Sequence, residues 1–400
     1  MTLALDIDHA AHTAPLGLAE RLDHLRLARS QNVGPRSYAS LIRRFGSARR
    51  ALEVLPELAV RGGKRDYVPC PIDKAEAELE AGAAAGAELL VIGEDAYPPL
   101  LAALDNPPPV LWLRGQAPVL HREAIAVVGA RNASALGLRT ARQIVADLGA
   151  RGLVVVSGLA RGIDTAAHEA ALATGTIAVL AGGIDRIYPE ENGALAEQIA
   201  QTGALLSECP VGVEPTARHF PKRNRLIAGL GRGVLLVEAA VRSGSLITAR
   251  NALEQGRDVM ACPGSPQDPR AGGCNALIRD GAALIRHSED VAEVLASPRL
   301  TGLAEPGVGF LFDADDYGDA TLRDDYDALT DFDEGGAAQD RALSDQVLSL
   351  LGPNPVDLDE VARQCGTTST ELSLVILELD LAGRIEILPG SQIMRAEPEA

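Results

Sequence analysis

Aromatic residues are scarce in this sequence: one Trp, six Tyr and five Phe make up 3% of 400 residues. With hydrophobic residues at 46%, the core must be built from Ala, Val, Leu and Ile, so an aromatic near a polar motif stands out. Cysteine is equally sparse. Cys70, Cys209, Cys262, Cys274 and Cys365 are odd in number, widely spaced and form no CxxC pair. That excludes a disulfide framework and a zinc finger, and fits a reduced intracellular compartment. No apolar run approaches the ~20 residues needed to cross a bilayer. The opening MTLALDIDHAAHTAPLG has neither a basic start nor a sustained apolar run, so it does not read as a signal peptide. The expectation is a cytoplasmic protein away from membranes. GxxxxGK[ST] is absent, and Gly229, Gly231 and Gly233 precede an apolar run instead of following one. ATP hydrolysis and dinucleotide binding therefore lose their support, and neither a cofactor nor a metal is expected.

Positive charge is the next shortage. The formal net charge is -18, which in a uniformly acidic chain would argue against a polyanionic partner. The deficit is local. Residues 310–340 carry eleven acids, from Asp313 to Asp340, against Arg323 alone, so ten of the eighteen negative charges sit there. Screening confines a surface charge to ~8–10 Å, which leaves the rest of the chain free to meet nucleic acid. Segment 298–340 holds no lasting period and reads as a solvated acidic linker, a tether or a mimic of nucleic acid.

On either side of the linker the chain is patterned. Between 86 and 297, apolar runs alternate with amphipathic helical stretches: AIAVVGA (124–130), LVVVSG (153–158), IAVLAGG (177–183), ALLSE (204–208), GVLLVEAA (233–240) and DVMACPG (258–264). Wholly apolar strands spaced by helices mean a parallel sheet covered on both faces. Right-handed crossovers make it a Rossmann-like doubly wound α/β sheet. Residues 1–18 read as a flexible tail. Residues 19–85, around VGPRSYASLIRRFGS, read as an N-terminal helical module of SAM-like or helix-hairpin-helix-like type. Residues 341–396 hold three helical stretches and then EILPG and QIMR, a hairpin; that is a C-terminal winged helix. Its third helix carries Glu371, Glu378 and Asp380 and no basic residue before Arg384, which favours packing or protein contact over groove reading.

Ligands of doubly wound sheets bind where strands end. Four turns here are rich in small residues: GARNASALG (129–137), SGLARGID (157–164), FPKRNR (220–225) and EAAVRSGSLITAR (238–250). Small residues let a ligand approach the backbone, and each following helix offers unpaired N–H groups and a positive dipole end. FPKRNR is a cationic island. Pro221 suits a first helical turn, where its missing N–H costs nothing. Lys222, Arg223 and Arg225 then crowd a dipole end that disfavours cations, a penalty that a polyanion offsets. Asn224 is suited to a phosphate or base edge, and Phe220 and Tyr188 to stacking on an unpaired base. The structural alternative pairs Arg223 or Arg225 with Glu208 or Glu238. Glu238, unwelcome beside phosphate, is expected to orient Arg225 or a backbone N–H. Asp164 and His168 stand at i and i+4. As a catalytic pair they lack a third partner, so Asp164 is read as orienting the helix start and His168 as packing beside it.

Taken in order, VVGAR, SGLARGID, HFPKRNRLIAGL, EAAVRSGSLITA and GCNALIRDGA resemble the DNA-processing protein A family (DprA, or Smf) over about 89–290. The resemblance implies a dimeric, non-enzymatic protein that binds single-stranded DNA, protects it and loads the RecA recombinase in natural transformation. It implies that Gly129, Ala130, Arg131, Ser157, Gly158, Phe220, Lys222, Arg223, Asn224, Arg225, Ser243, Gly244 and Ser245 grip the strand. Arg218 joins them, near a position where family members often carry lysine. The family's first turn usually reads Gly-Ser-Arg; Ala130 removes that hydroxyl and one phosphate contact. The rival class is an enzyme resembling the lysine-decarboxylase-like phosphoribohydrolases, but VRSGSLITA lacks the paired glycines and the acid of their PGGxGTxxE. A scaffold that meets DNA incidentally leaves the cationic island unexplained. Apolar faces in 244–256 and 274–285 offer a symmetric contact for a homodimer, or equally belong to the core.

Overall fold

The computed structural model describes residues 16–297, 337–352, 355–367, 369–388 and 392–396. Most of the expected tail and acidic linker lie outside the described residues. The described chain forms two compact units: 80–104 with 111–297, and 16–79 with 105–110 and 337–396. The N-terminal helices and the winged helix, read from the sequence as separate modules, thus belong to one unit.

The chain opens with four helices: α1 (Leu18–Ala28), α2 (Pro35–Phe45), α3 (Ala48–Arg61) and α4 (Ile72–Ala84). Local chemistry sets their ends. Pro35 occupies the first turn of α2, and Gly46 stops that helix with a left-handed φ of 73°, as a C-cap glycine does. Ser47 caps α3 by accepting the Arg50 N–H at 3.3 Å. Leu25, Leu41, Leu55 and Leu58 are fully buried between these helices.

The large unit alternates strand and helix: β1 (Glu88–Val91), α5 (Pro99–Ala102), β2 (Val110–Gly115), β3 (Ala124–Gly129), α6 (Ala135–Ala150), β4 (Val154–Ser157), α7 (Ile163–Ala171), β5 (Thr176–Val179), α8 (Gly193–Thr202), β6 (Ala204–Ser207), α9 (His219–Leu230), β7 (Gly233–Val237), α10 (Ser245–Glu254), β8 (Asp258–Ala261), α11 (Gly272–Arg279), β9 (Ala283–Leu284) and α12 (Ser288–Ala296). Sheet order is β1-β2-β6-β5-β4-β3-β7-β8-β9. β3 through β9 pair in parallel, and β2 runs antiparallel to β6. The fold is the expected Rossmann-like parallel sheet, extended by β1, β2 and β9. Residues alternate faces along each strand. Ala124, Ala126, Val128, Val156, Val234 and Leu236 join Leu226, Ile227 and Leu230 of α9 and Ala249 and Ala252 of α10. Ile125, Val127, Val155, Leu235 and Val237 join Ile144 and Leu148 of α6, Ile163 and Ala167 of α7, and Val291 of α12. Two apolar layers therefore sandwich the sheet. The chain first leaves β3 toward β4, β5 and β6, and returns to its other side with β7. The topological switch point, where such sheets open a crevice, lies between β3 and β7.

The C-terminal part contains α13 (Ala337–Leu350), β10 (Val356–Asp357), α14 (Leu358–Cys365), α15 (Ser369–Leu381), β11 (Ile385–Leu388) and β12 (Gln392–Arg395). The strands form an antiparallel sheet in the order β10-β12-β11, the expected winged helix. α13 begins four residues inside the segment read as linker.

Candidate nucleic-acid interface

The turns after β3, β4 and β5 and the start of α9 surround one open cleft, lined by Arg131, Gly158, Ala160, Arg161, Tyr188, Pro189 and Phe220. The Phe220 ring is one of its walls. The Arg131 guanidinium carbon lies 5.3 Å from the ring centre, within cation–π reach. Tyr188 meets the same ring edge-on, with centroids 5.8 Å apart and planes at 63°. Tyr188 is 50% exposed, an unusual setting for one of so few aromatics. Arg131, Arg218 and Lys222 are exposed, and none of the three forms an ion pair among the described residues. Arg161, which sequence reasoning missed, forms a bidentate pair with Glu191 at 2.6 and 2.9 Å. Free cations beside π surfaces suit a polyanion with unpaired bases.

Behind the cleft lies a buried polar layer. Arg223 is 6% exposed, and its Nη1 donates to the carbonyls of Gly158 at 2.5 Å and Val179 at 2.7 Å. Burial lowers its pKa to about 10, against the pull of Asp164, so it remains a cation at neutral pH. The Asp164 carboxylate accepts the N–H groups of Gly158 at 3.1 Å and Ala160 at 3.3 Å. Burial raises its pKa, opposed by Arg223 and by those N–H groups. His168 accepts the Leu159 N–H at 3.3 Å and pairs with the Thr176 hydroxyl at 2.7 Å; burial holds its pKa near 3. Together these bonds tie the loop after β4 to α7, α9 and β5, and in that loop Leu159 adopts a left-handed φ of 56°. A Cβ at Gly158 would sit 2.2 Å from Nη1 of Arg223 and push that buried guanidinium from its carbonyl partners. Asp164 orients the turn and His168 packs beneath it, as the sequence had suggested.

The switch-point crevice is filled by the chain itself. Glu238, at the end of β7, has a left-handed φ of 54°. Its carboxylate accepts the Ser134 N–H at 2.8 Å and the Ser134 hydroxyl, at the head of α6. Ser134 also caps the Gly137 N–H at 2.9 Å. A carboxylate thus holds the place where a nucleotide phosphate would meet that helix start. Of the two expected roles for Glu238, the backbone N–H is the observed one.

Arg225 faces a different acid. Its Nη2 donates to both Glu208 oxygens at 2.6 and 2.7 Å. The Asn224 amide donates to the Gly244 carbonyl at 3.3 Å, tying α9 to the turn in which the Ser243 and Ser245 hydroxyls bond each other at 2.7 Å. α9 begins at His219, so Pro221 stands third in the helix, still among the positions whose N–H has no intrahelical acceptor.

The candidate residues therefore divide. Arg131, Gly158 and Phe220 line the cleft, and Arg218, Lys222 and Gly244 are exposed. Asn224, Arg225, Ser243 and Ser245 are half-buried, and Gly129 and Ala130 form the close-packed turn behind Arg131. Ser157 is fully buried and donates to the Val127 carbonyl at 2.6 Å. Ser157 and Arg223 lie beneath the surface and hold the loop; neither presents a group to a strand in this conformation. The signal for Arg223 was in the sequence: Arg223, Leu226, Ile227 and Leu230 share one helix face, and the last three are core.

Residues 88–296 match the family model described as DNA recombination-mediator protein A. Residues 18–81 match a DprA-like N-terminal HHH domain, and 334–391 a DprA winged helix domain. Protein Smf of Escherichia coli is 40% identical over 308 residues, 76% of each chain. The DNA processing protein DprA of Streptococcus pneumoniae is 46% identical over 200 residues, 50% of this chain and 71% of that one. The X-ray structure of DprA from Streptococcus pneumoniae superposes with a TM-score of 0.58 at 36% identity, covering 68% of this chain and 95% of that one.

Proposed function

The chain belongs to the DNA recombination-mediator protein A family, and from that premise we propose that it binds single-stranded DNA along the cleft rim. It protects incoming strands and passes them to the RecA recombinase during natural transformation, as a cytoplasmic homodimer joined through the Rossmann-like unit. The recombinase and dimer parts of this reading rest on family membership. The binding part rests on one observation: Arg131 over the Phe220 ring, with Tyr188 edge-on and Arg218 and Lys222 exposed nearby. Gly129, Ala130, Gly158, Asn224, Arg225, Ser243, Gly244 and Ser245 shape the same rim. Ser157 and Arg223 act from beneath it.

Fluorescence anisotropy with oligo(dT) and a duplex of equal length tests the reading. Single strands bind more tightly, and log K falls with log salt by ~0.7 per neutralised phosphate. Tighter, sequence-specific duplex binding would reject it. No catalytic role is assigned. The rival enzyme reading needs Asp164 and His168 to meet a substrate, and both spend their polar atoms on the loop behind the cleft. No helix among the described residues is long and apolar enough to cross a membrane.

A further inference from the structure

The third helix of a winged helix ordinarily lies in a DNA groove and needs an exposed polar face to do so. α15 has no such face. Leu372, Val375, Ile376 and Leu379 enter the winged-helix core with Val347, Val361, Ile385 and Ile393. Ser373, Leu377, Glu378 and Leu381 are buried as well. From Glu371 to Leu381, only Glu371 is fully exposed. A helix buried on every side is one enclosed by protein.

The α2–α3 region of the same unit covers that second side. The Ser37 hydroxyl donates to Asp380 at 2.8 Å. The Asn32 amide donates to the Leu381 carbonyl at 3.0 Å, capping an acceptor that the helix end leaves open. Backbones touch at Gly62, where a Cβ would lie 1.9 Å from the Glu378 carbonyl oxygen and 2.9 Å from the Ala382 Cβ. Asn32 holds a left-handed φ of 59° to reach its position.

We propose that α15 is an intrachain docking helix, permanently occupied by the α2–α3 region of its own chain, and that the winged helix reads no duplex groove. The two ends of the chain then work as one body. The inference concerns the second unit and stands apart from the strand-binding reading of the first.

Cross-linking of the full chain tests it. Ser37→Cys and Asp380→Cys are introduced with Cys209 and Cys365 replaced by Ser, and the 2.8 Å contact is converted into a disulfide with a mild oxidant. The expected product is an intrachain 37–380 link, identified by peptide mass in monomeric material, with duplex affinity the same before and after linking. A link between two copies, a folded chain that gives no link, or duplex affinity abolished by linking overturns the proposal. A second measurement avoids the cysteines: in Asn32→Ala/Ser37→Ala, amide exchange across 371–381 should quicken roughly tenfold. Exchange unchanged from the parent overturns it too.

Discussion

The Arg131 guanidinium stands 5.3 Å from the centre of the Phe220 ring, so one cation and one π surface share a single recognition point. Their contributions are separable. Phe220→Leu keeps apolar bulk and removes the ring; oligo(dT) affinity should fall by ~1–3 kcal/mol with the salt slope unchanged. Arg131→Ala should flatten that slope by about 0.7. Anisotropy titrations at several salt concentrations read both. A slope that changes for Phe220→Leu, or holds for Arg131→Ala, would show that the roles are misassigned.

Glu208 competes with any phosphate for the Arg225 guanidinium. Arg225→Ala should therefore weaken strand binding less than Arg131→Ala does. Glu208→Gln, which weakens the hold on Arg225, should tighten it at low salt. Equal losses in both arginine variants would place Arg225 on the strand directly.

Arg223 belongs to stability. Arg223→Met leaves Asp164 without its buried counter-charge and the Gly158 and Val179 carbonyls without a donor. Leaving a buried carboxylate without its neighbouring counter-charge costs about 3–5 kcal/mol, or a melting temperature lower by roughly 10 °C in a unit of this size. Calorimetry that shows an unchanged melt would remove Arg223 from the framework.

Gly137 and Glu238 should be coupled. A Cβ at 137 would lie 2.4 Å from the Glu238 carboxyl carbon, so Gly137→Ala should cost ~1–3 kcal/mol through overpacking. Removing the carboxylate makes room, so in Gly137→Ala/Glu238→Ala the two costs should sum to less than their separate values by about 1 kcal/mol. Strict additivity in denaturant melts would mean the crevice is not filled as described.

Asp380 makes the second unit pH-sensitive. Burial raises its pKa to about 6, opposed by the Ser37 hydroxyl and Arg36 of α2. A carboxyl that titrates higher folded than unfolded takes up protons on folding. Stability is therefore fullest below about pH 4, declines between about 4 and 6, and stays at the lower level above. Asp380→Asn should raise the melting temperature at pH 7 and leave it nearly unchanged at pH 4, the limit being ~3 kcal/mol. A gap independent of pH would exclude Asp380 as the cause.

The sheet was legible because β3 through β8 are wholly buried runs separated by helical periods. β1, β2 and β9 were not, because β9 is two residues long, β1 lies at the sheet edge and β2 breaks the parallel pattern against β6. The cationic island was legible as composition and illegible as geometry. Lys222, Arg223 and Arg225 look alike in a string, yet helical rotation sends the first to solvent, the second under the loop and the third to Glu208. Pairings such as Arg161 with Glu191, 30 residues apart, come from loops that only the folded sheet brings together. The role of Glu238 depends on strand order, since β3 and β7 become neighbours only after three crossovers in the other direction.

Ser37 and Asp380 are 343 residues apart in the chain. A ribosome adding ~5–20 residues per second needs roughly 20–70 s to cover that distance. Throughout that interval the first helices of the nascent polypeptide wait without their mate, while the central sheet has time to form between them.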